Sequence, residues 1–158
     1  MSIFRPTLAL GLLIVTGCFP GEIRDRHASV VEDYLMTPFV EPDQPYLDPE
    51  RALGPPDGRT VALGRGAYVI LRFFRQIRDG PGPDLRIYEV GEDGAEAFVA
   101  VSTDGDEYVE LTNRARGAST ALDLAETGLD GIRFVRIRGA DDAGDEPGFD
   151  LDAAEALH

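Results

Sequence analysis

Val99-Ala100-Val101-Ser102-Thr103-Asp104-Gly105-Asp106-Glu107-Tyr108-Val109-Glu110-Leu111 is the stretch that decides the fold of this chain. It is two alternating apolar segments hinged on an Asp-Gly pair. A type I′ turn needs positive φ at both central residues, which Asp and Gly tolerate best, so the spacing predicts a tight hairpin at Asp104-Gly105. Ala97, Val99 and Val101 then share one face at period two, as in a half-buried antiparallel sheet.

Working outward, Ile132 to Arg138 alternates the same way, with Val135 and Ile137 inward and Arg136 and Arg138 outward. Ala67 to Phe74 puts Val69, Leu71 and Phe73 on one face and Tyr68, Ile70 and Arg72 on the other. Thr60 to Leu63 and Leu85 to Val90 read as further strands. Ser29 to Leu35 is β-branched at its start but carries two acids, which suits an edge position. Four prolines between Met36 and Pro49 predict a crossing loop with little regular hydrogen bonding. Asp-Gly pairs begin at residues 57, 79, 93, 104 and 130, roughly one strand and turn apart. No stretch has a helical period of useful length, and Ala121 to Thr127 fits one helical turn or a short strand equally well. In the last segment Phe149, Leu151, Ala153 and Glu155 share one phase, which predicts an inward carboxylate in need of a partner. The pattern as a whole predicts an all-β antiparallel sandwich or jelly roll.

A chain of 158 residues has room for one such domain and a short appendage. The formal charge is −14, and every basic residue is Arg. A field of that sign repels phosphate backbones, which argues against nucleic-acid binding. It suits a solvated extracytoplasmic surface or one that gathers divalent cations, and an acid-rich proteome explains it equally well.

At the N-terminus Arg5 precedes an apolar run, Thr7 to Val15, too short to span a bilayer and right for the core of a signal peptide. The run ends Val15-Thr16-Gly17-Cys18, which resembles the bacterial lipobox and implies a diacylglycerol on Cys18. An ordinary secretory leader with an incidental buried thiol is the alternative. On this reading residues 1–17 are a lipoprotein signal peptide, 18–26 a tether containing Pro20 and Gly21, and 27–158 the sandwich. Loss of Arg5 with the leader takes the formal charge from −14 to −15. Phe19, where an Asp would imply inner-membrane retention, points to an outer-membrane lipoprotein of the cell envelope. Cys18 is the only cysteine, so the domain has no internal disulfide.

The ordered words Ala52-Leu53-Gly54-Pro55-Pro56-Asp57-Gly58, Val61-Ala62-Leu63-Gly64, Asp79-Gly80-Pro81-Gly82-Pro83-Asp84-Leu85, Val101 to Gly105 and Gly148-Phe149-Asp150-Leu151-Asp152-Ala153 resemble bacterial cell-surface proteins with a galactose-binding-domain-like, discoidin-related sandwich. The resemblance implies a structural Ca²⁺ held by the loop before the early strands together with a Glu of the last strand, and Asp57 and Glu155 occupy those places. It also implies a glycan or envelope-protein partner, although the chain has no Trp to serve as a sugar platform.

The cation candidates are Asp57, Glu155 and the carbonyls near Leu53, because Ca²⁺ takes about six to eight oxygens from carboxylates and backbone. Asp57 as a plain turn residue and Glu155 paired with an Arg is the competing reading. Asp79 and Asp84 flank a Gly-Pro loop and offer a second metal site, or local turn bonds. Asp141, Asp142, Asp145 and Glu146 form a solvated acidic loop. The two histidines, His27 and His158, form no zinc set or triad, and neither Ser102 nor Ser119 has a visible base, so an enzyme is not expected. The one basic loop, Asn113-Arg114-Ala115-Arg116-Gly117, is either a pair of exposed arginines or a grip on a carboxylate or phosphate through Arg114 and Arg116. Two functions follow: a non-catalytic, lipid-anchored binding module for a glycan or envelope polymer, or a structural lipoprotein subunit docked on a larger assembly.

Overall fold

The computed structural model describes residues 26–37, 41, 43–91, 94–142 and 148–158. Cys18, the leader and the tether up to residue 25 lie outside the described residues, as do Asp145 and Glu146. Among the described residues no helix is long and apolar enough to cross a membrane.

The strands are β1 (Ala28–Leu35), β2 (Val61–Leu63), β3 (Tyr68–Arg78), β4 (Leu85–Glu89), β5 (Glu96–Ser102), β6 (Val109–Glu110), β7 (Ala115–Arg116), β8 (Ser119–Leu122), β9 (Gly131–Gly139) and β10 (Phe149–Ala156). They form two antiparallel sheets. One runs β1-β3-β9-β5-β6, with β7 also on β5; the other runs β2-β10-β4-β8. The all-β antiparallel sandwich is therefore present, and β1 lies at an edge, paired with β3. The undecided segment from Ala121 holds both alternatives in turn: the end of β8, then a 3-10 turn at Ala125–Thr127. The proline-rich crossing is more ordered than expected, with 3-10 turns at Pro45–Leu47 and Pro49–Ala52. Each begins with its proline at the start of the turn, where a missing N–H is not needed.

The alternation places the core. Val69, Leu71 and Phe73 of β3, Val135 and Ile137 of β9, and Ala97, Val99 and Val101 of β5 are buried against Leu63, Leu85, Ile87, Phe149 and Leu151 of the other sheet. Each large aliphatic or aromatic side chain so buried contributes about 1.5–3 kcal/mol, offset by the conformational entropy of ordering the chain.

Two local expectations change. The hairpin forms, pairing Ala100 with Glu110 and Val101 with Val109, but residues 103–108 separate its strands, not a two-residue turn. Asp104 organises that loop: its carboxylate accepts the N–H of Asp106 at 2.9 Å, while Ser102 Oγ donates to it at 3.1 Å. These bonds hold the Asp104 carboxyl below its ordinary value, the Asp106 N–H first among them.

The second change is in β10. Its pairing with β4 shifts register between Leu151 and Ala153, so Asp152 is an extra residue in a β-bulge. Beyond the bulge the core residues are Ala154 and Ala156. Glu155 is thereby turned out of the core phase that strict alternation assigned to it.

Thr60 to Leu63 and Ala67 to Phe74 are successive in sequence but belong to different sheets. The corner between them is built on backbone contacts: Gly66 N–H donates to Gly139 O at 3.2 Å and Gly139 N–H donates to Ala67 O at 3.0 Å. A Cβ on Gly139 would overlap the carbonyl oxygens of Leu63 and Gly64.

Candidate functional site

Asp57 and Glu155 have different hydrogen-bond partners. Both Asp57 oxygens face Arg59, one accepting its backbone N–H at 2.9 Å and the other its Nε at 2.9 Å. That backbone bond, then the guanidinium, hold the Asp57 carboxyl below its usual value. Glu155 accepts the Tyr88 hydroxyl at 2.7 Å and lies 4.0 Å from Arg86 Nη1. Leu53 closes a 3-10 turn, donating its N–H to Glu50 O at 3.1 Å.

The carboxylate that meets the 57–58 loop is that of Asp152. It is buried and accepts the N–H groups of Asp57 at 3.0 Å and Gly58 at 3.2 Å. The bulge that turns Glu155 away thus supplies Asp152 in its place, and backbone hydrogen bonds tie the loop to the last strand where a cation was expected. In this structure the donors at that junction are backbone N–H groups and arginines.

Asp79 and Asp84 do come together, and Asp123 joins them: one carboxylate oxygen from each lies within 4.8 Å of the others. Asp84 is buried, and its oxygens accept the N–H of Gly80 at 2.8 Å and of Leu124 at 2.9 Å. His158 Nε2 is 4.0 Å away.

The Arg114–Arg116 loop lines a groove of about 370 Å³, shared with Glu96, Thr112, Asn113 and Thr120. Sheet pairing builds it. β7 pairs with β5 so that Glu96 stands opposite Arg116, while Thr120 of β8 accepts the Arg116 N–H at 2.8 Å and donates to its carbonyl at 2.9 Å. Glu96 serves both arginines: Arg114 Nη1 is 2.7 Å from one oxygen and Arg116 Nη1 3.9 Å from the other. Arg114 also stacks on Phe98 at 4.3 Å, and Arg138 lies over the same ring at 4.2 Å. Such stacking restricts Arg114, so its side chain has less rotamer freedom left to lose in any further contact.

A second groove of about 260 Å³ adjoins the first through Asn113 and is lined by Asp123, Ala125 and Glu126. Glu126 Oε1 accepts the Thr112 N–H at 2.8 Å, linking the two. Glu96, Thr112, Thr120, Asp123 and Glu126 were not found by sequence reasoning. The alternation Glu96-Ala97-Phe98-Val99 shows that Glu96 faces outward; its distant partner on β7 is visible only once the strands pair.

The architecture is that of the galactose-binding-domain-like sandwich, with a polar groove at the junction of its two sheets. No protein-family model matches the chain, and no curated protein matches it. Among solved structures it is similar to chitosan-binding module 1 of a chitosanase/glucanase from Paenibacillus sp. IK-5, at TM-score 0.55 and 11% identity, covering 86% of this chain and 97% of that one. CBM32 of AlyQ in complex with 4,5-unsaturated mannuronic acid aligns at TM-score 0.49 and 12% identity, over 84% of this chain and 98% of that one. CpGH89CBM32-6, produced by Clostridium perfringens, aligns at 0.48 and 13%, over 86% and 96%. The first of these shows the fold.

Proposed function

We propose that this chain is a non-catalytic glycan-binding module, held at the outer membrane by a lipid on Cys18, that takes its ligand in the groove between Glu96, Thr112, Asn113, Arg114 and Arg116. The observation that carries the reading is Glu96 set between two guanidiniums at the wall of an open polar groove. Vicinal sugar hydroxyls both accept and donate. The arginine pair supplies donors, Arg114 held by Glu96 and Phe98, a carboxylate supplies the acceptor, and the Asn113 amide supplies both. A module of this same fold binds chitosan.

A docked structural subunit calls for an exposed apolar patch of several hundred Å². Among the described residues the large exposed apolar side chains are Leu35 and Phe74, at opposite ends of the paired β1 and β3, Val109 on β6, and Val90 just after β4. That distribution favours the binder.

Arg114→Ala together with Arg116→Ala is expected to weaken glycan binding at least about tenfold, the equivalent of about 1.4 kcal/mol, while leaving the melting temperature close to wild type. Calorimetry against a panel of neutral, acidic and amino-sugar oligosaccharides measures it, and unchanged affinity for every bound oligosaccharide would reject the groove as the site. Partition of the full chain into detergent, lost in Cys18→Ala, tests the anchor. A soluble native protein with an unmodified N-terminus would reject it.

A further inference from the structure

We propose that the ligand is a zwitterionic glycan, one whose neighbouring sugars carry a carboxylate and a free amine; this rests on the glycan-binding reading above and names the chemistry of that site. The two adjoining grooves have opposite character. In the first, Glu96 neutralises one of the two guanidiniums, and Arg114 is the closer partner at 2.7 Å. Arg116 stands farther off, with its side chain 75% exposed, and its guanidinium fork is the one placed to take a planar carboxylate through two parallel hydrogen bonds. In the second groove the charged groups are Asp123 and Glu126.

Asp123 carries more than its own charge. It backs onto Asp79 and Asp84, three like charges within one cluster. An ammonium donating to Asp123 adds a positive charge to a cluster whose other neighbouring base is His158, 4.0 Å from Asp84. Both Asp84 oxygens already accept backbone N–H groups. Asp123 gives one oxygen to the Ala125 N–H at 2.9 Å and Glu126 one to Thr112, so the second oxygen of each faces the groove's ligand, a set that suits the few directional donors of an ammonium better than the oxygen-rich shell of Ca²⁺. Asn113 lines both grooves, and the Thr112 N–H to Glu126 bond fixes their spacing.

The long-range field points the same way. A chain of charge −14 repels a polyanion before the arginines can act on it, and it attracts a polycation anywhere on its surface. A polymer of alternating charge escapes both effects and is selected only where the two local signs sit side by side.

The test is calorimetry on the full-length chain in detergent with three hexasaccharides: fully de-N-acetylated hyaluronan, which alternates glucuronate and glucosamine, an alginate oligomer, and a chitosan oligomer. At low salt the alternating hexamer is expected to bind at least about tenfold more tightly than either of the others. Its affinity should vary with salt between about 20 and about 500 mM less steeply than that of chitosan or alginate, because only the two local ion pairs are screened and no net ligand charge adds to them. Arg116→Ala should erase its advantage over chitosan, and Asp123→Asn with Glu126→Gln its advantage over alginate. Alginate or chitosan binding as tightly as the alternating hexamer would overturn the zwitterion proposal while leaving a glycan site. Failure of all three, with the neutral oligosaccharides of the panel still binding, would likewise overturn the zwitterion proposal, and failure of the neutral ones as well would overturn the glycan reading beneath it.

Discussion

Gly139→Ala is expected to cost about 3 kcal/mol or more and to lower the melting temperature by on the order of 10 °C. Gly139 ends β9 at the point where the chain crosses from one sheet to the other. A methyl group there would overlap the carbonyl oxygens of Leu63 and Gly64. Those oxygens belong to backbone, which cannot swing aside as a side chain can. Relief requires moving the end of β2 away from β9, which breaks the reciprocal bonds of Gly139 and Gly66 with Ala67 and Gly139. Gly80→Ala is the control. Its Cβ would meet His158 Cδ2 at 3.3 Å and Asp84 Oδ1 at 3.4 Å, side-chain atoms able to yield a few tenths of an ångström. Thermal melts of the two variants should therefore differ widely. A Gly139→Ala melt within about two degrees of wild type would mean that the corner is looser than described.

The second large effect is expected at Asp152→Ala. A hydrogen bond to a charged acceptor is worth about 1.5–3 kcal/mol, and Asp152 receives the N–H groups of both Asp57 and Gly58 from a buried position. The expected loss is about 2 kcal/mol. Glu155→Gln should cost less than half of that, since the amide oxygen still accepts from Tyr88. Chelator should leave the difference between the variants unchanged, because the donors to the Asp152 carboxylate are the N–H groups of Asp57 and Gly58. A reversed order, with Glu155→Gln the more damaging and chelator lowering the wild-type melt through Glu155, would restore the cation at that junction.

The same two residues show where the sequence is legible and where it is not. Val69, Leu71 and Phe73, Val135 and Ile137, and Ala97, Val99 and Val101 fall inward as their period of two requires, because a pleated strand has only two faces and one of them is buried. Glu155 does not, because one extra residue reverses the phase of everything after it, and counting by twos cannot detect an insertion. The adjacent small residues Ala153 and Ala154, both buried, are the local trace of that reversal. The hairpin at Asp104-Gly105 was legible as a hairpin. Its length was not, since the Ser102 and Asp104 side chains stabilise a wider loop than the dipeptide alone suggests.

At the site, Arg114 and Arg116 stood out because they are basic in an acidic chain. Their surroundings did not stand out. Glu96 and Thr120 reach them by strand pairing, and Asp123 and Glu126 reach the neighbouring groove through the segment that follows β8. Asp79 and Asp84 were legible as neighbours through the stiff Gly-Pro loop between them; Asp123 became their third member only through the fold.

The most direct test of the central claim is an NMR titration of the isotope-labelled full-length chain in detergent with the alternating glucuronate–glucosamine hexamer, following backbone amides. The account predicts that the largest shifts fall on Glu96, Thr112, Asn113, Arg114 and Arg116, with smaller ones at Asp123 and Glu126 and none in the 57–58 loop. Largest shifts at another surface, or a saturating titration that leaves the amides of residues 112–116 unmoved, would contradict it.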